Sequence, residues 1–190
     1  MPLIVNRLSE NKMRAPLLVS FLLIAASGGS ATAAFAADAC GGFKWDVGKE
    51  HALFGGQSVS LPAGKDIASA PTIRADRLYQ LQLLPQAEVA FVLEPGKRML
   101  TDGAYAGLAA LKLDSPGNYR VSVDVPFWID VIANGKLAAT RDFQGQQGCD
   151  APHKIVEFDL TGAKQFMLQV SGAAKTTVRL TVTQAPAPKT

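Results

Sequence analysis

The sequence has no apolar run long enough to cross a membrane as a helix. Its longest apolar stretch, 15–26 (APLLVSFLLIAA), has about twelve residues, whereas a spanning helix needs roughly 20. Every later apolar stretch is interrupted by Asp, Lys, Gln, Gly or Pro. We therefore expect the mature protein to have no membrane span.

The sequence also lacks the short motifs that mark common catalytic and nucleotide-binding sites. It contains no G-x-S-x-G, H-E-x-x-H, Walker, G-x-G-x-x-G or EF-hand pattern. Only two histidines are available as a base, and no basic run is present that would follow a nucleic acid backbone. These absences argue against a nucleic-acid partner and favour a non-catalytic protein without a cofactor.

An export signal opens the chain. Three basic residues, Arg7, Lys12 and Arg14, precede the apolar run. Small residues follow the run up to an A-x-A site at 34–36. This pattern predicts a secretory signal peptide over 1–36 that is cleaved on export. A cleavage site at 31–33 and a true start at Met13 remain open alternatives. We expect a periplasmic or secreted protein.

The mature chain is nearly neutral and long enough for one domain. Cleavage after residue 36 removes three of the 19 basic residues and one of the 16 acidic ones, which leaves a net charge of +1. No internal repeat or interior linker divides the chain. We predict a single domain over 37–184, followed by an extended, mobile tail over 185–190 (APAPKT).

The two cysteines, Cys40 and Cys149, predict one disulfide in an oxidising compartment. Redox-active pairs are usually close in sequence, and these are far apart, so we interpret the bridge as structural. A loop of this size would stabilise the fold by about 4–5 kcal/mol in the chain-entropy model. A lipid-modified Cys40 is a weaker alternative, because 37–39 is a poor lipobox match and Cys149 would lose its partner.

Short alternating stretches separated by turn residues predict a mostly β protein. Because they recur every 8–12 residues, they favour an antiparallel, jelly-roll-like β-sandwich of about 8–10 strands. The alanines of 105–113 would also suit a helix, but a strand is preferred. The predicted strands are 77–84, 88–93, 105–113, 119–125, 127–133, 136–143, 154–160, 165–170 and 176–183.

Three local signals refine this picture. Residues 46–54 (DVGKEHALF) predict a short helix with Asp46 as its N-cap. Asn134 and Gly135, placed between apolar runs, predict a type I′ hairpin turn. In the last strand, polar residues alternate with Val and Leu, which predicts one face in contact with water.

The last third of the chain resembles the small sandwich modules appended to secreted bacterial peptidases, the pre-peptidase C-terminal type. The matching stretches are 117–119 (GNY), 128–131 (WIDV), 166–172 (FMLQVSG) and 178–182 (VRLTV). The resemblance implies an accessory fold with a binding or stabilising role. It implies no catalytic residue, and the modules have no counterpart to the disulfide or the N-terminal half.

One set of residues could hold a metal. If the cysteines are bonded, His51 and His153 are tethered to the same point, with Glu157 near one of them in sequence. Two histidines and a carboxylate can bind non-haem iron, as in dioxygenases of the cupin type. The simpler interpretation is two surface or hydrogen-bonded histidines, since the His-x-His pair of such barrels is missing.

Three aromatic residues, Trp45, Trp128 and Tyr105, could stack on a sugar, although aromatic side chains more often anchor a core. We therefore favour an exported, non-catalytic domain that binds a glycan, a cell-envelope component or a protein partner. The alternative is a small metal-dependent enzyme that uses His51 and His153.

Overall fold

Two six-stranded sheets packed face to face make up the protein, which confirms the predicted β-sandwich. The structure is a computed structural model that describes residues 40, 42–96, 102–162 and 165–186. All of them belong to one compact unit, Ala36–Thr190. The predicted signal peptide (1–36) and residues 187–190 of the predicted tail lie outside the described residues.

One helix and twelve strands are formed within these ranges. The helix, α1, spans Gly48–Phe54, and a 3₁₀ turn spans Gln86–Glu88. The strands are β1 (Val59–Pro62), β2 (Thr72–Arg74), β3 (Leu78–Gln82), β4 (Leu84–Pro85), β5 (Tyr105–Lys112), β6 (Asn118–Val123), β7 (Trp128–Ala133), β8 (Lys136–Leu137), β9 (Thr140–Gly145), β10 (Lys154–Asp159), β11 (Phe166–Ala173) and β12 (Thr177–Gln184). In this part of the chain no helix is long and apolar enough to cross a membrane.

The two sheets have different strand orders. Sheet A runs β1-β3-β12-β6-β10-β9, and sheet B runs β2-β5-β11-β7-β8, with β4 also beside β5. Most pairs are antiparallel, as predicted. The exceptions are β1 with β3 and β2 with β5, which are parallel. Sequence alternation did not predict β1 or β2, because strands of four and three residues are too short to show it.

The core lies between the sheets, where alternate residues of facing strands meet. Val121 on β6 and Phe158 on β10 project from sheet A, and Leu168 on β11 and Val131 on β7 project from sheet B; all four are buried. The period-two alternation of these strands therefore places one apolar face of each sheet inside.

Residues 136–143, predicted as one strand, are divided between the sheets. Asn134 and Gly135 both have positive φ, as a type I′ turn requires, and β8 returns against β7. The chain then changes sheets: Ala138 N donates to Val131 O in sheet B, and the next residue, Ala139, accepts through its O from Asp159 N beside sheet A. β9 consequently becomes the edge strand of sheet A.

The prediction of a strand at 88–93 is wrong. Residues 86–88 form the 3₁₀ turn, and 89–96 cross the outer face of sheet B without joining it as a strand. The backbone of this segment bonds to a side chain: Val92 N donates to Gln169 Oε1 at 3.1 Å. We call residues 86–96 the cover loop.

The predicted helix is present, but its N-cap is Val47 rather than Asp46. The Asp46 carboxylate still accepts a bond from Gly48 N at 3.0 Å. Its backbone carbonyl is occupied by Arg120 Nη1 at 3.0 Å. This bond holds Asp46 against sheet A before the helix begins.

Candidate functional site

Cys40 and Cys149 form the predicted disulfide, with their Cα atoms 5.2 Å apart. Cys149 is buried and Cys40 is half-buried. The bridge ties the start of the described chain to the loop between β9 and β10. Such a bond is consistent with an oxidising compartment.

After the disulfide, residues 42–54 lie across the outer face of sheet A, and we call them the strap. Phe43 and Val47 pack with Ile155 of β10 in a small apolar cluster separate from the main core. Trp45 borders this cluster, with Lys44 Nζ 4.9 Å and Arg120 Cζ 5.0 Å from its ring centre.

Two acidic residues, Glu50 of the strap and Glu157 of sheet A, share one arginine between the strap and the sheet. Arg120 Nε lies 3.1 Å from Glu157 Oε2, and Arg120 Nη1 lies 3.9 Å from Glu50 Oε1. Thr183 Oγ1 donates to Glu50 Oε1 at 2.5 Å. Glu50 and Arg120 are only 2% and 6% exposed. Burial of these charges is tolerated because each is paired or hydrogen-bonded.

The strap also bonds to side chains of the edge strand β9. Lys44 Nζ lies 2.6 Å from Asp142 Oδ1, and the Gln144 amide bonds to Lys44 N and Gly42 O, each at 2.8 Å. The hydrogen bond from Lys44 lowers the pKa of Asp142 below its ordinary value of 3.8. Asp142 is therefore ionised, and the pair intact, at neutral pH.

The candidate metal ligands do not form a ligand set. His51 lies on α1, and His153 begins the approach to β10, where its N–H donates to Val123 O at 2.7 Å and its ring Nδ1 lies 3.1 Å from Cys149 O. Glu157 is bound to Arg120. Among the residues that the structure describes, no group of three or more His, Cys, Asp or Glu could hold a metal ion.

His51 belongs to the strap, on α1, whereas His153 lies beside the disulfide, with its ring Nδ1 near Cys149 O.

A cleft of about 390 Å³ lies next to the disulfide. Cys149, Asp150 and His153 line one part of it, and Asp124 lines another. Asp124 is already committed to Arg179, whose Nε and backbone N lie 3.1 and 2.9 Å from its carboxylate. We call this cavity the clasp cleft.

The three candidate stacking residues lie on three different faces. Trp45 is half-buried outside sheet A. Trp128 is half-buried outside sheet B, where its Nε1 donates to Asp130 Oδ1 at 2.9 Å. Tyr105 is half-buried against the main core. They therefore do not share one platform.

A larger groove of about 500 Å³ lies on the outer face of sheet B. Aliphatic side chains form much of its wall, and polar groups of Lys112, Asn134 and Gln165 contribute to it. Its lining comprises Ile67, Thr72, Ala110, Leu111, Lys112, Ile132, Asn134, Gly135, Gln165, Phe166 and Met167. We call it the sheet B groove; sequence reasoning missed it, because Ile67, Ile132 and Met167 come from separate parts of the chain.

The cover loop shields another part of the outer face of sheet B and is held by three buried polar side chains. Gln86 Oε1 accepts from Gly172 N at 2.7 Å. Gln169 accepts from Val92 N and donates to Leu93 O at 3.0 Å. Asp130 Oδ2 accepts from the Gly96 amide at 3.0 Å. The one sequence signal was a polar Gln within the apolar run 166–170.

Comparison with protein-family models and with curated proteins finds no match to this chain. The resemblance of the last third to pre-peptidase C-terminal modules therefore stays a prediction.

Proposed function

We propose that this chain is an exported, non-catalytic domain that binds a protein partner, or an apolar part of a cell-envelope component, in the sheet B groove. The observation that carries the proposal is the groove itself. Its volume of about 500 Å³ falls within the range of about 300–1,000 Å³ for ligand sites.

The chemistry of the groove suits an apolar ligand with polar edges. Ile67 is 61% exposed beside it, and the half-buried Met167 contributes further apolar surface. The Lys112 amine and the Gln165 amide can bond to polar groups at the periphery of a ligand. An apolar centre with a polar rim is typical of protein interfaces.

A glycan receives less support than a protein or lipid-like ligand. Sugar-binding sites need aromatic faces presented together. Trp45, Trp128 and Tyr105 lie on different faces, and none of them lines the sheet B groove.

Two features that agree support the proposal of export. The basic leader, short apolar run and A-x-A site of 1–36 are typical of a secretory signal, and a disulfide is typical of the compartment that such a signal serves. The accessory role is also what the resemblance to secreted modules implies. No observation favours the metal-dependent enzyme, and we expect metal at well under one equivalent in the purified protein.

The test is capture of partners from envelope extract by residues 37–190, compared with two single variants. Ile67→Glu places a charge in the groove, and we expect it to reduce specific capture at least tenfold. Val59→Glu, on the 44% exposed Val59 of β1 in sheet A, is the matched control and should capture normally. Equal capture by both variants would remove the groove from the proposal.

A further inference from the structure

The face of sheet A beneath the strap has the composition of a face in contact with water. Arg179, Thr181 and Thr183 alternate along β12 with core residues, the pattern of an antiparallel sheet with one solvated side. The structure corrects this prediction: Thr181 and Thr183 are fully buried, because the strap covers them. A polar surface is therefore hidden by a separate piece of chain.

Covering this face leaves hydroxyl groups without partners. Thr181 on β12 lies opposite Ser122 on β6, and both residues are fully buried. Neither hydroxyl finds a hydrogen-bond partner among the described residues. Burying an unpaired hydroxyl costs free energy, and exposure of the face to water would remove that cost.

The strap is separable from the main core. No strap residue belongs to the large cluster between the sheets, and the apolar cluster under the strap is small. Its other contacts are mainly polar, such as the Lys44–Asp142 ion pair. Removing the strap would thus leave the packing between the two sheets intact.

The strap is anchored differently at its two ends. After α1 it passes into residues 55–58 (GGQS), which are exposed and form no helix or strand. Two successive glycines, Gly55 and Gly56, allow this segment to act as a hinge. At the other end a covalent bond, Cys40–Cys149, holds it. Cys149 lines the clasp cleft, and Cys40 is half-buried, so a reductant can approach the bond.

We propose that the strap is a redox-locked lid. Reduction of Cys40–Cys149 frees it to swing at Gly55 and Gly56, which exposes the polar face of sheet A while the sandwich stays folded.

The chemistry is thiol–disulfide exchange with a dithiol reductant. One reductant thiolate attacks Cys40 Sγ, forming a mixed disulfide and releasing Cys149 as a thiolate that takes up a proton. The second reductant thiol then displaces Cys40. Two electrons and two protons pass to the protein, which gains two thiols, while the reductant becomes a disulfide.

The experiment compares the oxidised mature protein with the same protein reduced by dithiothreitol and alkylated with iodoacetamide. Arginines are labelled with a dicarbonyl reagent and quantified by mass spectrometry. We expect labelling of Arg120, 6% exposed in the closed form, to rise at least tenfold. Arg141, already exposed, is the internal control and should change less than twofold.

Hydrogen exchange on the same samples separates opening from unfolding. Amides of α1 should exchange at least tenfold faster after reduction, whereas those of β7 and β11 in sheet B should stay protected. Unchanged exchange in α1 would show that the strap stays closed without the bond. Joint loss of protection in α1 and β11 would show that the disulfide stabilises the whole fold rather than the strap alone. Either result overturns the proposal.

Discussion

At the scale of single residues, Arg120 organises the interface between the strap and sheet A. Its guanidinium reaches Glu157 at 3.1 Å, the Asp46 carbonyl at 3.0 Å and Glu50 at 3.9 Å. It also lies 5.0 Å from the Trp45 ring centre. One cation thus compensates two carboxylates that are largely removed from water, and its loss would leave Glu50 with only the Thr183 hydroxyl and Glu157 with only the half-exposed Arg141 among the described side chains.

Replacing this cation should destabilise the protein strongly. For Arg120→Met we expect the free energy of unfolding to fall by about 3–5 kcal/mol, the usual cost of leaving buried charges uncompensated. Chemical denaturation monitored by circular dichroism measures this loss of free energy of unfolding.

Arg141→Met is the matched control. Arg141 also faces Glu157, at 3.8 Å, but its side chain is 49% exposed, so the loss should stay below about 1 kcal/mol. Equal losses for the two variants would contradict a central role for Arg120.

At the scale of elements, the cover loop shows how a segment with strand-like sequence can be used otherwise. Residues 88–93 (EVAFVL) have the apolar content of a strand, and Val89 is buried against Leu108 of β5. The Gln169 side chain, however, supplies both an acceptor and a donor to the loop backbone. The loop is therefore held on top of the sheet rather than at its edge.

Removing that amide should loosen the loop. We expect Gln169→Leu to lower the free energy of unfolding by about 1–3 kcal/mol, because the amide of Val92 and the carbonyl of Leu93 lose their partner. Hydrogen exchange of 89–96 should accelerate while β11 stays protected.

Gln82→Leu is the control that tests whether replacing any strand glutamine by leucine has the same effect as Gln169→Leu. Gln82 is exposed, and its side-chain amide donates to the Ser60 hydroxyl at 3.2 Å, so the loss of free energy should stay within about 0.5 kcal/mol. Unchanged exchange of the cover loop in Gln169→Leu would show that apolar packing alone holds the loop.

At the scale of the whole molecule, one core joins the two sheets. Phe158 of sheet A and Leu168 of sheet B are 1% and 0% exposed and belong to the same cluster. Because the described part of the chain gives neither sheet another apolar partner of this size, the two sheets should unfold together as a single cooperative unit.

Truncation of a core aromatic tests this cooperativity. We expect Phe158→Ala to cost about 3–5 kcal/mol and to shift the unfolding midpoints seen by near-ultraviolet and far-ultraviolet circular dichroism by the same amount. Phe143→Ala, at a side chain 65% exposed on β9, is the control and should change stability by less than about 0.5 kcal/mol. Separate transitions for the two probes would indicate sheets that unfold independently.

The sequence by itself determined the class of the fold and its covalent bond. Alternation along 119–125 and 176–183 defines strands with one apolar face, and two such faces can only be buried against each other. Positive φ at Asn134 and Gly135 follows from local chemistry alone. The disulfide followed from two cysteines in a chain with a predicted export signal. Each of these inferences depends on neighbouring residues or on composition.

Only the tertiary structure decided what covers the outer faces of the sheets. Thr181 and Thr183 carry the pattern of a solvated face, yet the strap buries them; residues 88–93 resemble a strand, yet they form a cover loop. It also showed that the described histidines and carboxylates form no metal-ligand set, and it assembled the sheet B groove. The physical reason is that the covering segments are held by contacts between residues far apart in the sequence, such as Gln169 with Val92, 77 positions apart, and Thr183 with Glu50, 133 positions apart. Local periodicity carries no information about such contacts.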